Sequence, residues 1–180
     1  MTRVILTYAD YAALPADGRR HDIDEGELSV TAAPSPGHQQ VLVNLTVVIA
    51  LHVKQSARGT VLVSPIDVIL SDTPVVQPDL VYVASDRAAS ISARGIEGPP
   101  TLVVEILSPS TTQIDRQTKM QLYARYRVPW YWIVESQRRE IEFYGLAGSV
   151  YRPRARAAGE ELLRVEPFAD LALSVSSLWT

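Results

Sequence analysis

Residues 101–110 read T-L-V-V-E-I-L-S-P-S, and the reading of this stretch decides the fold. It is a run of β-forming residues, apolar on both faces, with a single carboxylate, Glu105, set inside it. A segment of that kind belongs to a strand covered on both sides of a sheet. An isolated ionised carboxylate in such a place is either strongly unfavourable or driven neutral, so Glu105 requires a partner.

Working outward, S-P-S-T-T (108–112) caps a helix predicted from about Thr112 to Arg127, and V-P-W-Y-W-I-V-E (128–135) reads as another buried strand. Upstream, T-V-L-V-S-P-I-D-V-I-L-S (60–71) is a strand broken at Pro65, and P-V-V-Q-P-D-L-V-Y-V (74–83) is a second with Pro78 and Asp79 at its centre. A proline there removes a ladder hydrogen bond and marks a bulge, a bend or an edge. Strand, strand, strand, helix, strand predicts a mixed sheet with a crossover helix between the strand of Glu105 and that of Trp130. The fold class expected is therefore α/β (α+β mixed sheet), with residues 1–180 forming one domain.

The flanks fit this frame. A short helix opens at Thr7 and stops near Leu14-Pro15, and H-D-I-D-E-G-E-L-S-V-T-A-A (21–33) reads as two short extended pieces about Glu25-Gly26. The segment 38–55 is predicted helical with Val41, Leu45, Val48 and His52 near one face, although its β-branched residues weaken that reading. Residues 138–146 open an antiparallel extension with 149–156 and 161–165.

The chain has 180 residues, 47% of them hydrophobic and 21% charged, which is enough to bury a sizeable core. It has no cysteine, which excludes a disulfide frame, a thiolate metal site and a cysteine nucleophile. Asp10 interrupts the apolar run a signal peptide needs, and no apolar span is long enough for a membrane helix, so a cytoplasmic protein with no membrane partner is expected. The formal charge of -3 argues against a non-specific coat on nucleic acid, although it is compatible with a nuclease whose metal-binding acids lower the total. Lys54 and Lys119 are the only lysines beside fifteen arginines, which draws attention to both, since arginine does not perform the proton chemistry of lysine.

Three acids are out of character locally: Glu27 at the start of an extended segment, Asp79 after Pro78, and Glu105. Magnesium is held by one or two carboxylates with substrate phosphates and waters, so adjacent strands each presenting one acid would make a metal cleft. Lys119, in the following helix, is placed to reach back over Glu105. Against this stand plainer readings: Asp79 as a bulge residue bonded to amides, Asp115 and Lys119 as an i, i+4 surface pair, and Asp22, Asp24 and Glu25 as a solvated face. His21, His38 and His52 lack zinc spacing, though His38 at a helix start is a candidate polar contact to substrate. No G-x-S-x-G elbow, G-x-G-x-x-G or phosphate-binding P-loop occurs, so a serine hydrolase and a nucleotide cofactor are unsupported. The basic runs R-R-E-I-E-F-Y and Y-R-P-R-A-R read equally as a phosphate track or as the outer face of a hairpin.

Taken together, E-G-E-L, A-A-P-S-P-G-H-Q, S-P-I-D-V-I-L, V-V-Q-P-D-L-V-Y-V, P-P-T-L-V-V-E-I-L-S-P-S-T, D-R-Q-T-K-M-Q-L-Y-A and V-P-W-Y-W-I-V resemble the Uma-type (Uma-two) family of the PD-(D/E)XK nuclease superfamily, over about Thr7 to Leu146 and in unbroken order. The resemblance implies a restriction endonuclease-like core and a Mg²⁺- or Mn²⁺-dependent DNA endonuclease. By this resemblance Pro78-Asp79 is the PD element, Glu105 the second acid and Glu27 the early glutamate, with Asp79 and Glu105 as metal ligands. Two residues after Glu105 stands Leu107, where a lysine is usual, and Lys119 is the residue that would replace it. His38, Gln39, Asp67 and Ser108 would contact substrate or support the ligands. The resemblance also implies a homodimer, which an exposed Trp and Tyr strand edge would serve. The alternative expectation is a catalytically weak module binding nucleic acid or protein on the same fold.

Overall fold

The computed structural model describes residues 5–15, 20–24 and 26–180. In chain order the elements are α1 (Tyr8–Ala12), β1 (Arg20–Asp24), β2 (Glu27–Thr31), α2 (Pro36–Ser56), β3 (Gly59–Val63), β4 (Val68–Ile69), β5 (Val75–Val76), β6 (Leu80–Ala84), β7 (Ile91–Ser92), β8 (Gly95–Glu97) and β9 (Leu102–Ile106). A π-helical turn, Ile114–Lys119, then leads into α3 (Met120–Arg125), followed by β10 (Trp130–Glu135), β11 (Glu140–Ala147), β12 (Val150–Ala158), β13 (Leu162–Val165) and β14 (Phe168–Ser174).

The larger sheet has the order β12-β11-β10-β9-β6-β3, and a smaller one runs β2-β1-β5-β4-β8-β7. Within the larger sheet only β9 and β10 are parallel. A parallel pair needs a long crossover, which the π-turn and α3 supply, as the strand order in the sequence predicts.

Both faces of this sheet are covered, which accounts for the unbroken apolar runs of β9 and β10. Leu80, Tyr82, Leu102, Val104, Ile106, Trp132 and Val134 pack with Val41, Leu42, Leu45, Ile49 and Val53 of α2. The alternate residues Val81, Val83, Val103, Tyr131 and Ile133 pack with Leu122 and Tyr123 of α3 and with Val68, Val76 and Ile96 of the smaller sheet. Glu105 shares the parity of the second set and looks toward α3, whereas Asp79, just before β6, meets His38 in the first turn of α2.

Helix α2 forms despite its β-branched residues. Ser35 caps it by accepting the backbone N–H of His38 at 3.2 Å, Pro36 stands in the first turn, and burial of one face outweighs weak propensity. The buried face is Val41, Leu42, Leu45, Ile49 and Val53, whereas Val48 and His52 are only half-buried.

Two expectations are corrected. The strand Trp130–Glu135 is interior, flanked by β9 and β11, and Tyr131 and Trp132 are fully buried. The extension beginning at Arg138 folds back as β11 and covers the edge, leaving no Trp and Tyr edge for a second copy. Asp22 is buried, not part of a solvated face.

Leu45→Ala is expected to lower unfolding free energy by about 2–5 kcal/mol, whereas Val47→Ala, on the exposed side of the same helix, changes it by less than about 0.5 kcal/mol. Urea denaturation of the two variants measures this, and equal effects would contradict the packing described.

Candidate active site

The pairing of β6 with β9 builds the site. Leu80 lies opposite Val104, so Asp79, one residue before Leu80, stands beside Glu105, one residue after Val104. The break at Pro78 separates β5 from β6 and sets Asp79 immediately before the new strand. Both acids are buried, Asp79 at 3% and Glu105 at 2% exposure.

Their partners explain the burial. Asp79 Oδ2 accepts the backbone N–H of Ile106 at 2.8 Å and lies 3.1 Å from His38 Nε2. Glu105 Oε1 accepts the Tyr123 hydroxyl at 2.8 Å and pairs with Lys119 Nζ at 3.1 Å. Lys119 Nζ also lies 3.1 Å from Asp115 Oδ1. Burial pushes the lysine's pKa down, but Glu105 and Asp115, with Asp22 and Asp79 behind them, pull it well above the ordinary value, so the ammonium stays charged. Burial, and next the Glu105 charge, raise the Tyr123 hydroxyl well above its usual range and keep it protonated as a donor. Tyr131 donates to the Asp115 carbonyl at 2.9 Å and so fixes the π-turn against β10. A π-turn inside a helix commonly marks a functional site, and this one carries both Asp115 and Lys119.

The acids open on a cleft of about 430 Å³ whose lining includes Ser35, His38, Asp79, Glu105, Ser108, Thr111, Asp115 and Lys119. Thus Asp79, Glu105, Lys119, His38 and Ser108 are brought together. Glu27, Gln39 and Asp67 are not among the residues lining this cleft. Gln39 is exposed on the first turn of α2. Asp67 accepts hydrogen bonds from Tyr11 at 2.6 Å and Gln77 at 2.8 Å in a network that ties α1 to the smaller sheet. Glu27 is exposed, opposite Asp24 at the tip of the β1–β2 hairpin. Register places the same face of that hairpin, further from the tip, at Asp22 and Ser29. Asp22 accepts the Gln77 backbone N–H at 2.6 Å and acts on the Lys119 charge.

Sequence reasoning missed Asp22, Asp115 and Tyr123. The i, i+4 spacing of Asp115 and Lys119 suggested a surface pair, yet Asp115 is 2% exposed. The only signal available was the apolar spacing of Met120 and Tyr123 around Lys119, which places that lysine near the covered side of the helix.

Among the described residues no group of three His, Asp or Glu side chains is arranged to hold a metal ion. Two hard carboxylates opening on one cleft nevertheless suit Mg²⁺, which takes one or two such ligands and completes its shell with phosphates and waters.

The family model Uma2, described as "Putative restriction endonuclease", matches residues 8–176. A crystal structure from Anabaena variabilis ATCC 29413, described as a "putative nuclease belonging to DUF820", is similar in fold, with a TM-score of 0.77 at 18% identity over 97% of this chain and 97% of that one. No curated protein matches the chain.

Lys119→Met removes the cation between Glu105 and Asp115 and is expected to cost about 3–5 kcal/mol of stability near neutral pH. Melting curves and urea denaturation of the two proteins measure it, and a variant as stable as the wild type would contradict the ion-pair geometry.

Proposed function

This chain belongs to the Uma2 restriction endonuclease family, and from that premise we propose that it is a divalent-metal-dependent endonuclease hydrolysing DNA phosphodiester bonds. The observation that carries this reading is the side-by-side placement of Asp79 and Glu105 on adjoining strands, with the charged Lys119 held against Glu105 at the wall of the same cleft.

Asp79 and Glu105 would hold Mg²⁺ or Mn²⁺, which when bound supplies Lewis-acid charge to the phosphodiester and acidity to the attacking water. The chain's own groups prepare the rest. The Ile106 N–H and His38 fix Asp79, and Tyr123 fixes the Glu105 carboxylate. Lys119 is ion-paired with Glu105 and Asp115 at 3.1 Å each and donates an N–H to the attacking water or to a phosphate oxygen on which charge accumulates. Because the ammonium is held charged, its part is orientation and electrostatic stabilisation, not proton abstraction. Ser108 and His38, which line the cleft, contact the sugar-phosphate backbone. Glu27 and Gln39, exposed outside the cleft, would meet only the flanks of a long substrate. The hydrogen bonds of Asp67 give it a structural part.

Isothermal titration with Mn²⁺ and Mg²⁺ is expected to show binding to the wild type and none to the Asp79→Ala, Glu105→Ala double variant, with parallel loss of nicking of supercoiled DNA. Absence of metal binding by the wild type would overturn the proposal. Tyr123→Phe keeps the ring and removes the hydroxyl, and is expected to reduce metal affinity or turnover by about 10- to 100-fold, as loss of a group that orients a metal ligand does. An unchanged variant would remove Tyr123 from the site.

A further inference from the structure

The polar cleft adjoins an apolar slot. Between the β1–β2 hairpin and the π-turn lies a cavity of about 240 Å³ whose lining includes Val30, Ala32, Val76, Ile114 and Leu122. Val76 and Leu122 are buried, whereas Val30 is 51% and Ile114 45% exposed, so aliphatic surface runs from the floor to the mouth. Ser29 and Thr118 add hydroxyls to the lining, and Asp22 a carboxylate. Ala32, Ser110, Thr111 and Lys119 line the slot and the cleft alike, so the two cavities meet at the lysine.

We infer that this slot receives an unpaired nucleobase next to the phosphodiester held in the cleft, which makes DNA with a base free to leave the stack the favoured substrate. The inference rests on the nuclease reading and names its substrate class. A nucleobase has two flat apolar faces and a polar edge with N–H donors, which match aliphatic walls set with hydroxyl groups and the Asp22 carboxylate. Base and phosphate are joined through one sugar, so a phosphate beside Lys119 carries a base to a cavity that starts at the same residue. A stacked, paired base cannot enter such a slot without leaving the duplex, and that cost is least for a mismatched, bulged or single-stranded nucleotide. The acidic total of the chain fits the same substrate: local capture of one nucleotide requires less phosphate neutralisation than a long duplex track.

The test uses the intact chain and single-stranded oligodeoxynucleotides carrying 2-aminopurine, whose emission reports base unstacking. It adds Mn²⁺-dependent cleavage of intact strands, strands scanned with an abasic site, and full duplexes. Ile114→Trp and Val30→Trp fill the slot from opposite walls at exposed positions, and their melting temperatures report that the fold is kept. Wild-type protein is expected to change the emission on binding without metal, and to cut the intact strand at least about tenfold faster than the strand abasic at the slot position. Both variants are expected to lose the emission change and to cut intact and abasic strands equally. Unchanged emission in a bound strand, with equal cleavage of intact, abasic and duplex DNA, would overturn the slot and leave the nuclease reading in place. An emission change abolished by both variants, with no cleavage of any DNA, would support the slot and overturn the nuclease reading.

Discussion

The ammonium of Lys119, paired with buried acids at the wall of the cleft, is the interaction on which the rest of the site depends. Four acids, Asp22, Asp79, Glu105 and Asp115, act on this one cation, and each of them is at least 95% buried. Acids gathered in a low-dielectric interior repel one another and lose hydration, and they persist only where opposite charge and hydrogen bonds replace the water. Here the replacement is specific. Lys119 stands between Glu105 and Asp115, the Tyr123 hydroxyl bonds Glu105, and the amides of Ile106 and Gln77 bond Asp79 and Asp22. A buried ion pair contributes little net stability compared with a well-packed apolar replacement. Its presence in the middle of an otherwise apolar face therefore points to use, not to folding, as its reason.

The topology supplies that cation in the one place where it can serve. Because β9 and β10 are parallel, the chain must cross over the sheet between them. The crossover begins directly after the strand that carries Glu105, so its first turns lie over that strand's end. A helix starting there brings a side chain two turns in back across the carboxylate. Leu107, two residues after Glu105, is buried among the apolar residues of the α3 face, and it is from the helix above that Lys119 reaches Glu105.

What was legible in the sequence was whatever broke a local rule. Glu105 within T-L-V-V-E-I-L, Asp79 beside Pro78 in a run of β-formers, and a lysine in a chain that otherwise writes arginine were each visible because their neighbours made them improbable. The sheet order around β9 and β10 was readable for the same reason, since runs apolar on both faces admit few arrangements. Asp22, Asp115 and Tyr123 obeyed local rules and so stayed hidden. An acid in the polar run H-D-I-D-E looks solvated, an acid four residues before a lysine looks like a surface pair, and a tyrosine among Leu and Ala looks like core. Only the long-range packing of the hairpin and the π-turn against the sheet decides which face of each is covered. The tip of a hairpin and its base share a parity, so alternation alone did not separate exposed Glu27 from buried Asp22.

The arginines show how pairing changes the meaning of composition. Arg116 is shared between Glu135 and Glu142, Arg138 pairs with Glu135, and Arg156 pairs with Glu140. Two arginines of the basic β11–β12 hairpin, Arg138 and Arg156, are therefore compensated by acids from its own strands and the neighbouring one. Burial, and then the bond from Tyr144 to Glu142, push that tyrosine's hydroxyl up to about 12, which leaves it neutral within the network. A guanidinium paired in this way attracts a polyanion weakly at long range, because its potential is cancelled close to its source and screened beyond about one Debye length. On the proposed reading, recognition of a nucleic acid would rest on short-range features at the cleft, where a lysine, an amide-fixed acid and an aliphatic wall adjoin one another. A protein using those features would read the local state of a strand and act where a single nucleotide has left the helix.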